Sequence, residues 1–379
     1  MNSFFAVTAP GLEALTAQEL HHLNLLPDAT NSPITEAGGV AFQGELDAVY
    51  RANLHLRTAS RILVRLGDFN AAAFSELRKK ASRLDWANYL VPGQAVAIRA
   101  TCHKSKLYHA DAVAERVAGA IADQLGQPVS RQKPGDEEAD NPPQLVVVRL
   151  VHDHCTVSMD SSGELLHRRG YRQAVAKAPL RETLAAAMLL ASGWDTTSPL
   201  LDPFCGSGTL PIEAALLALG LPPGRNRRFA FMDWPGFDEK RWAALLAECQ
   251  PRSGVALPPI MASDRDAGAI RMAQENAGRA GVAQHIQFTC QAVSAVSPPA
   301  GTGWIVTNPP YGVRVSSNKD LRNLYAQLGN VLRAKCPGWH AAILCNDLML
   351  LGQTRLALDT SLSVLNGGIK VRLARGLVT

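Results

Sequence analysis

The chain has 379 residues, 47% hydrophobic and 19% charged, apolar enough for two or three packed domains and too apolar for wholesale disorder. Its 38 Lys and Arg against 33 Asp and Glu leave a formal charge of +5, which suits a polyanionic partner where the excess is clustered. Seven scattered cysteines without a C-x-x-C pair argue against a disulfide framework and against zinc. No basic leader precedes Glu13 and Glu19, and no apolar run approaches the ~18 residues that span a bilayer. These features predict a cytoplasmic protein with no metal and no membrane anchor.

Residues 2 to 9 read as a strand, followed by an amphipathic helix on Leu12, Leu15, Leu20 and Leu23. A strand in GGVAFQG, a helix over about 45 to 55 and the alternating strand SRILVRLGDF complete a first α/β pattern ending near residue 68. Residues 70 to 90 have a helical pattern. The strand AVAIRATC, a helix over 111 to 125, a charged loop at 131 to 143 and the strand pair in QLVVVRLVHDHCTVSMD follow. ELLHRRGYRQAVAKAPLR, residues 164 to 181, carries Arg168, Arg169, Arg172, Lys177 and Arg181 against Glu164 and reads as a basic connector. Beyond it strands and helices alternate through RETLAAAMLLASGW, LLDPF, PIEAALLALG, IMASD, DAGAIRMAQENAGRAG, HIQFTC, WIVTNPP, LRNLYAQLGNVLRAKC and WHAAILCN to a hairpin around Asn366 and Gly367. That alternation predicts a parallel sheet covered on both faces.

Three loops carry the chemistry. The first is DPFCGSGT, residues 202 to 209, between a predicted strand and helix. Gly206 and Gly208 let the backbone turn tightly and approach a ligand at the carboxyl end of a parallel strand, where Asp202 can accept from a ligand amine. The loop is neither G-x-G-x-x-G nor a Walker loop. An ordinary turn is the alternative.

The second is Asp264 at the end of the next predicted strand, where a carboxylate can bind both hydroxyls of a ribose. Asp266 reads as the N-cap of the following helix, and a cap role for both acids is the alternative.

The third is Asn308-Pro309-Pro310-Tyr311, directly after the strand WIVT. Two prolines stiffen the loop and remove two donors, which leaves carbonyls and the Asn308 amide oxygen to accept from a planar amine. Tyr311 can stack on the ring that bears it. An aromatic amine is a poor nucleophile, so orienting its hydrogens and lone pair does much of the catalysis without a strong base.

In the N-terminal half, Arg99, Lys104, Lys106, Tyr108 and His109 surround a strand-to-helix junction, a pattern that suits phosphate and base contacts to RNA. A solvated surface is the alternative. His152 and His154 lack partners for a metal site and read as structural.

Together these residues resemble the THUMP-domain RNA methyltransferases, most closely the bacterial guanine-N2-methyltransferases of large-subunit ribosomal RNA. The resemblance runs over nearly the whole chain. CHKSKLYHADAVAERV is similar to the THUMP segment, LHRRGYR and APLRETLAAAML to the connector, and DPFCGSGT and NPPY to the cofactor and acceptor loops. FAFMDWPGFDEKRW, residues 229 to 242, resembles an insertion ahead of the Asp264 strand.

The resemblance implies a ferredoxin-like region at 1–68, a THUMP domain at 69–160, the connector at 161–182 and a Rossmann-like α/β methyltransferase domain at 183–379 using S-adenosylmethionine. It implies that Asp202, Gly206 and Gly208 face the methionine end, with the connector-helix residue Thr183 a candidate beside them, and that Pro203, Cys205, Thr209 and Asn308 also contact the cofactor. Asp264 would hold the ribose and Arg265 would lie beside the adenine. Related enzymes often carry an acid after the third strand, where this chain has Gln291, whose side-chain oxygen can accept from the adenine amine without charge. Asn308 and the Pro309 carbonyl would orient guanine N2, with Arg168, Arg169 and Arg172 joining the N-terminal cations on the RNA.

The expected activity is methylation of a guanosine N2 in structured RNA, ribosomal before transfer RNA. Adenine N6 in DNA or a glutamine amide keeps the same chemistry with another acceptor. A non-catalytic RNA-binding or ribosome-assembly protein is the reading from a different class.

Overall fold

A computed structural model describes residues 2–26, 35–132, 143–173, 180–251, 257–311, 318–366 and 368–379. Lys177, Gly367 and nearly all of the charged loop at 131 to 143 lie outside them. The described residues pack into two compact units, one of residues 1–8, 16–166 and 226–248 and the other of 9–15, 167–225 and 249–379.

The first unit carries β1 (Asn2–Thr8), α1 (Glu13–His22), whose first turn belongs to the second unit, β2 (Thr35–Glu36), β3 (Gly39–Gly44), α2 (Leu46–His55), β4 (Ala59–Asn70), α3 (Phe74–Ala81), β5 (Ala95–His103), α4 (Ala110–Leu125), β6 (Ser130–Gln132), β7 (Gln144–Val151) and β8 (His154–Asp160). All eight strands join one sheet in the order β2-β3-β1-β4-β8-β7-β5-β6. The 12-residue β4 pairs with β1 along one edge and β8 along the other, so the sheet runs unbroken across residue 68. The helical pattern expected over 70 to 90 holds only for α3. Its chain turns back where the buried Trp86 indole donates to Ala81 O at 2.8 Å, a bond that closes the helix end and leaves only a short 3-10 turn beyond it.

The second unit continues with α5 (Glu182–Ser192), β9 (Leu200–Asp202) and α6 (Thr209–Ala218); α7 (Glu239–Glu248) belongs to the first unit. Then come β10 (Ile260–Asp264), α8 (Ala267–Ala280), β11 (Ile286–Cys290), β12 (Trp304–Thr307), α9 (Asn318–Lys335), β13 (His340–Cys345), α10 (Leu348–Gln353), β14 (Asp359–Asn366) and β15 (Ile369–Leu377). The sheet order is β11-β10-β9-β12-β13-β15-β14. Its first five strands are parallel as expected, and the terminal hairpin adds two antiparallel strands. Successive strand residues point to opposite faces. Leu200, Val306 and Leu344 therefore pack with α5, α6 and α8, while Leu201, Ile305 and Ile343 pack with α9 and α10. Helices cover both faces, and the loops at the carboxyl ends of the strands are left as the open edge.

Residues 229 to 242 belong to the first unit. Phe231 stacks on Tyr50 with centroids 4.7 Å apart, and Trp234 Nε1 donates to Gln144 Oε1 at 3.0 Å. The run of aromatics completes the first unit's core because burying these large rings offsets the ordering of a long excursion.

Candidate active site

Strand β9 sits between β10 on one side and β12 on the other, and the chain changes direction across the sheet at this point. Loops leaving such neighbouring strands diverge and open a crevice. A cleft of about 950 Å³ lies there, lined by Asp202, Pro203, Cys205, Gly206 and Thr209 from the first loop, Asp264 and Arg265 after β10, Gln291 after β11 and Asn308 and Pro310 after β12. Four loops far apart in sequence meet in one cavity.

Asp202, 2% exposed, accepts from Thr307 Oγ1 at 2.7 Å and from Phe204 N at 3.2 Å. Burial drives its pKa from 3.8 to about 7, opposed by those two hydrogen bonds and reinforced by the charge of Asp264. No cation pairs with it among the described residues. Asp264 is half-buried and ties two loops together, accepting from Gly206 N at 3.1 Å and Asp266 N at 3.0 Å. Asp266 is the cap of α8, accepting from Gly268 N at 2.7 Å, as its position predicted.

The two glycines have different reasons to be glycine. Gly206 has φ +51° and open space where a Cβ would stand, so it brings bare backbone to the cleft. Gly208 has φ +85° and is not at the cleft wall. A Cβ there would come within 2.9 Å of Ala273 Cβ on α8, so its part is close packing rather than ligand approach. Cys205 is buried, its thiol pushed up by burial and by the acids at 202 and 264, which makes it a packing residue and no nucleophile.

On the acceptor side, Asn308 lines the cleft, and its buried Oδ1 has no hydrogen-bond partner among the described residues. Pro310 lines the cleft and Pro309 is buried beneath it. Tyr311 departs from expectation. Its ring is half-buried against both cores, its side chain bonds Asn366, and it does not reach the cleft wall, because an aromatic here gains more area between two packed layers than at the rim. Thr183 is buried on α5, also away from the cleft. Asn323, Leu324 and Gln327 of α9 supply a wall that motif reading missed, although their spacing of three and four residues places them on one helical face.

The cations separate into two sets. Lys104, Lys106, Tyr108 and His109 are exposed between β5 and α4, with the Tyr108 and His109 rings 4.1 Å apart. Arg99 on β5 and Arg168 are half-buried. Arg169 and Arg172, expected on the RNA, are instead held internally. Arg169 Nε lies 3.7 Å from Glu213 Oε1 with both side chains buried, and Arg172 grips Glu182 with two nitrogens while donating to Leu180 O at 3.2 Å. Pairing removes the cost of burying each carboxylate alone, and it withdraws both guanidinium groups from any polyanion.

Comparison with known proteins gives three matching family models: the RlmL ferredoxin-like domain at residues 3–63, the THUMP domain at 71–160 and the RMKL-like methyltransferase domain at 169–375. The chain is 36% identical to slr0064 of Synechocystis, a protein provisionally named an RNA methyltransferase, over 98% of this chain and 96% of that one. It is 37% identical to the ribosomal RNA large subunit methyltransferase K/L of Methylococcus capsulatus over 98% of its own length and 50% of the relative's. The chain thus spans about half the length of the K/L relatives. Among solved structures, SMU.472, provisionally named a methyltransferase and crystallised with SAH, is 30% identical with a TM-score of 0.87, covering 100% of this chain and 98% of that one.

Proposed function

For a chain that belongs to the RMKL-like methyltransferase family, with RlmL ferredoxin-like and THUMP domains ahead of the methyltransferase domain, we propose transfer of a methyl group from S-adenosylmethionine to the exocyclic N2 of a guanosine in structured RNA, large-subunit ribosomal RNA first. The observation that carries this reading is the Asn308 Oδ1, a buried acceptor without a donor at the wall of a cleft whose other side is lined by two carboxylates. An incoming –NH₂ supplies the missing donor.

The residues fit the cofactor. Asp202 is a buried carboxylate awaiting a cation, Gly206 leaves space for backbone approach, and half-buried Asp264 suits a ribose diol. Bound there, S-adenosylmethionine supplies an electrophilic methyl on a sulfonium. Asp202 and the Gly206 backbone would hold the amino-acid end, Asp264 the ribose and Gln291 and Arg265 the adenine edge. Asn308 and the Pro309 carbonyl would accept the two amine hydrogens and aim the nitrogen lone pair, so that orientation does much of a strong base's work, and the proton displaced from the methylated nitrogen would pass to solvent. The base leaves its stack to enter the cleft, at a cost of a few kcal/mol, with Lys104, Lys106, Tyr108 and His109 holding flanking RNA. A cytoplasmic site of action accords with seven free cysteines.

The test is transfer from labelled S-adenosylmethionine to total RNA of a strain lacking the protein, with size separation and nucleoside mass spectrometry. Label in N2-methylguanosine of large-subunit RNA is expected. Label in transfer RNA changes the substrate and keeps the chemistry, whereas label on DNA or a protein amide with none on RNA overturns the reading.

A further inference from the structure

Helix α8 touches the DPFCGSGT loop from behind through a side chain that no part of the proposed chemistry uses. Asn276 is fully buried, and its Nδ2 donates to Ser207 O at 3.0 Å. The Ser207 carbonyl and the Gly208 N–H belong to one planar peptide unit, and that N–H donates to Cys205 O at 2.8 Å. Both ends of the peptide next to Gly206 are thereby pinned.

The polar contacts continue outward. Asn276 Oδ1 accepts from Arg279 Nη2, and Arg279 Nε donates to Tyr171 O at 2.8 Å. Tyr171 is a connector residue whose hydroxyl donates to Glu213 Oε1 at 3.1 Å, the carboxylate that also pairs with Arg169. An unbroken chain of contacts runs from the connector to the loop backbone, buried along most of its length. Asparagine is a poor helix former, so its place inside α8 is not a matter of propensity.

We propose that Asn276 and Arg279 are positioning residues that hold the 205–208 backbone in its ligand-ready form and make that form depend on the seating of the connector at Tyr171. The proposal rests on the reading of this cleft as the S-adenosylmethionine site. Losing one partner of a buried hydrogen bond leaves the other unsatisfied and releases the loop.

Asn276→Asp keeps the acceptor for Arg279 and removes the donor to Ser207, and Arg279→Lys keeps the charge and loses the fork. Calorimetry with S-adenosylhomocysteine is expected to give about tenfold weaker binding for Asn276→Asp and about threefold for Arg279→Lys. Amide exchange at residues 205–208 of the ligand-free protein should quicken in both, and kcat at saturating S-adenosylmethionine should stay within about twofold of the parent. Because the two act through one chain, the double variant should bind no worse than Asn276→Asp alone.

Parent-like binding and exchange in both variants, or losses that multiply in the double variant, would overturn the proposal. Should Asn276→Asp fail to fold in a thermal melt, Asn276→Ser and Arg279→Lys carry the same comparison. A parent protein that binds no S-adenosylhomocysteine marks failure of the cofactor reading instead.

Discussion

Lys104 and Lys106 stand exposed beside Tyr108, which is 70% exposed, whereas Arg169 and Arg172, on either side of Tyr171, are drawn inside onto Glu213 and Glu182. As sequence the two segments look alike, cations around an aromatic. What separates them is the reach of a carboxylate. The loop at 103–109 is braced through backbone instead: Asp153 accepts from Lys106 N at 2.6 Å, and the β7–β8 turn at His152 and Asp153 has positive φ at both residues. Ser105 joins that bracing, its Oγ accepting from Asp153 N at 3.0 Å, and Leu107 is buried, while the side chains of Lys104, Lys106, Tyr108 and His109 stay exposed. In the connector, burial of Glu182 and Glu213 demands counter-charges, and the nearest arginines serve them.

Removing a connector arginine breaks this contrast most severely. Arg169→Ala leaves Glu213 buried without its guanidinium, and breaking such a pair typically costs about 3–5 kcal/mol. Urea unfolding of the second unit should show a loss of that order. Parent-like stability with weakened RNA binding would mean that Arg169 reaches the nucleic acid after all.

A triple variant at the exposed loop, Lys104→Ala, Lys106→Ala and Tyr108→Ala, should behave oppositely. Stability should stay within about 0.5 kcal/mol of the parent. RNA binding should weaken, with the slope of log affinity against log salt reduced by roughly 2 for the two lost phosphate contacts. An unchanged salt slope would sink the RNA role of this loop.

Asp202 sharpens the comparison as a buried carboxylate without an internal cation among the described residues. With its pKa raised to about 7, the folded chain keeps a proton that the unfolded chain gives up above about pH 4. Its contribution to ligand-free stability is present in full below that lower value and is lost as pH rises through about 7. A cationic ligand reverses the preference by favouring the carboxylate. S-adenosylhomocysteine, which carries the same amino-acid end, should therefore bind about tenfold more weakly at pH 6 than at pH 8, while Asp202→Asn binds weakly at both and melts higher than the parent at pH 8 without ligand. Calorimetry and melting at the two pH values check both outcomes.

The parts of this fold legible in sequence are those whose chemistry is local. Strand–helix alternation, the cap at Asp266 and the loops at 202–209 and 308–311 each announce themselves within a few residues. Asn308 could be found because two prolines follow it. The misread parts depend on partners far along the chain. Nothing near Arg169 reveals Glu213 on α6, and nothing in FAFMDWPGFDEKRW reveals that Tyr50 and Gln144, far back along the chain, await it in the first unit. Gly208 reads in sequence as a ligand contact because Ala273, the residue it makes room for, is distant along the chain. Tyr311 looked like a stacking residue because the two cores that claim its ring meet only in the folded unit. Asn276, amid ordinary helix-forming residues, carried no signal at all.

The account depends most on the division of the cleft into a side that holds the methyl donor and a side that aims the acceptor amine. Measuring kcat on RNA and the S-adenosylmethionine Kd for Asn308→Ala, in parallel with the parent, tests that division directly. The account predicts a fall in kcat of about 10²–10³, of the order seen on removing one preorganised transition-state contact, with Kd within about twofold. Equal losses in kcat and in cofactor affinity would contradict it, because Asn308 would then belong to the donor side.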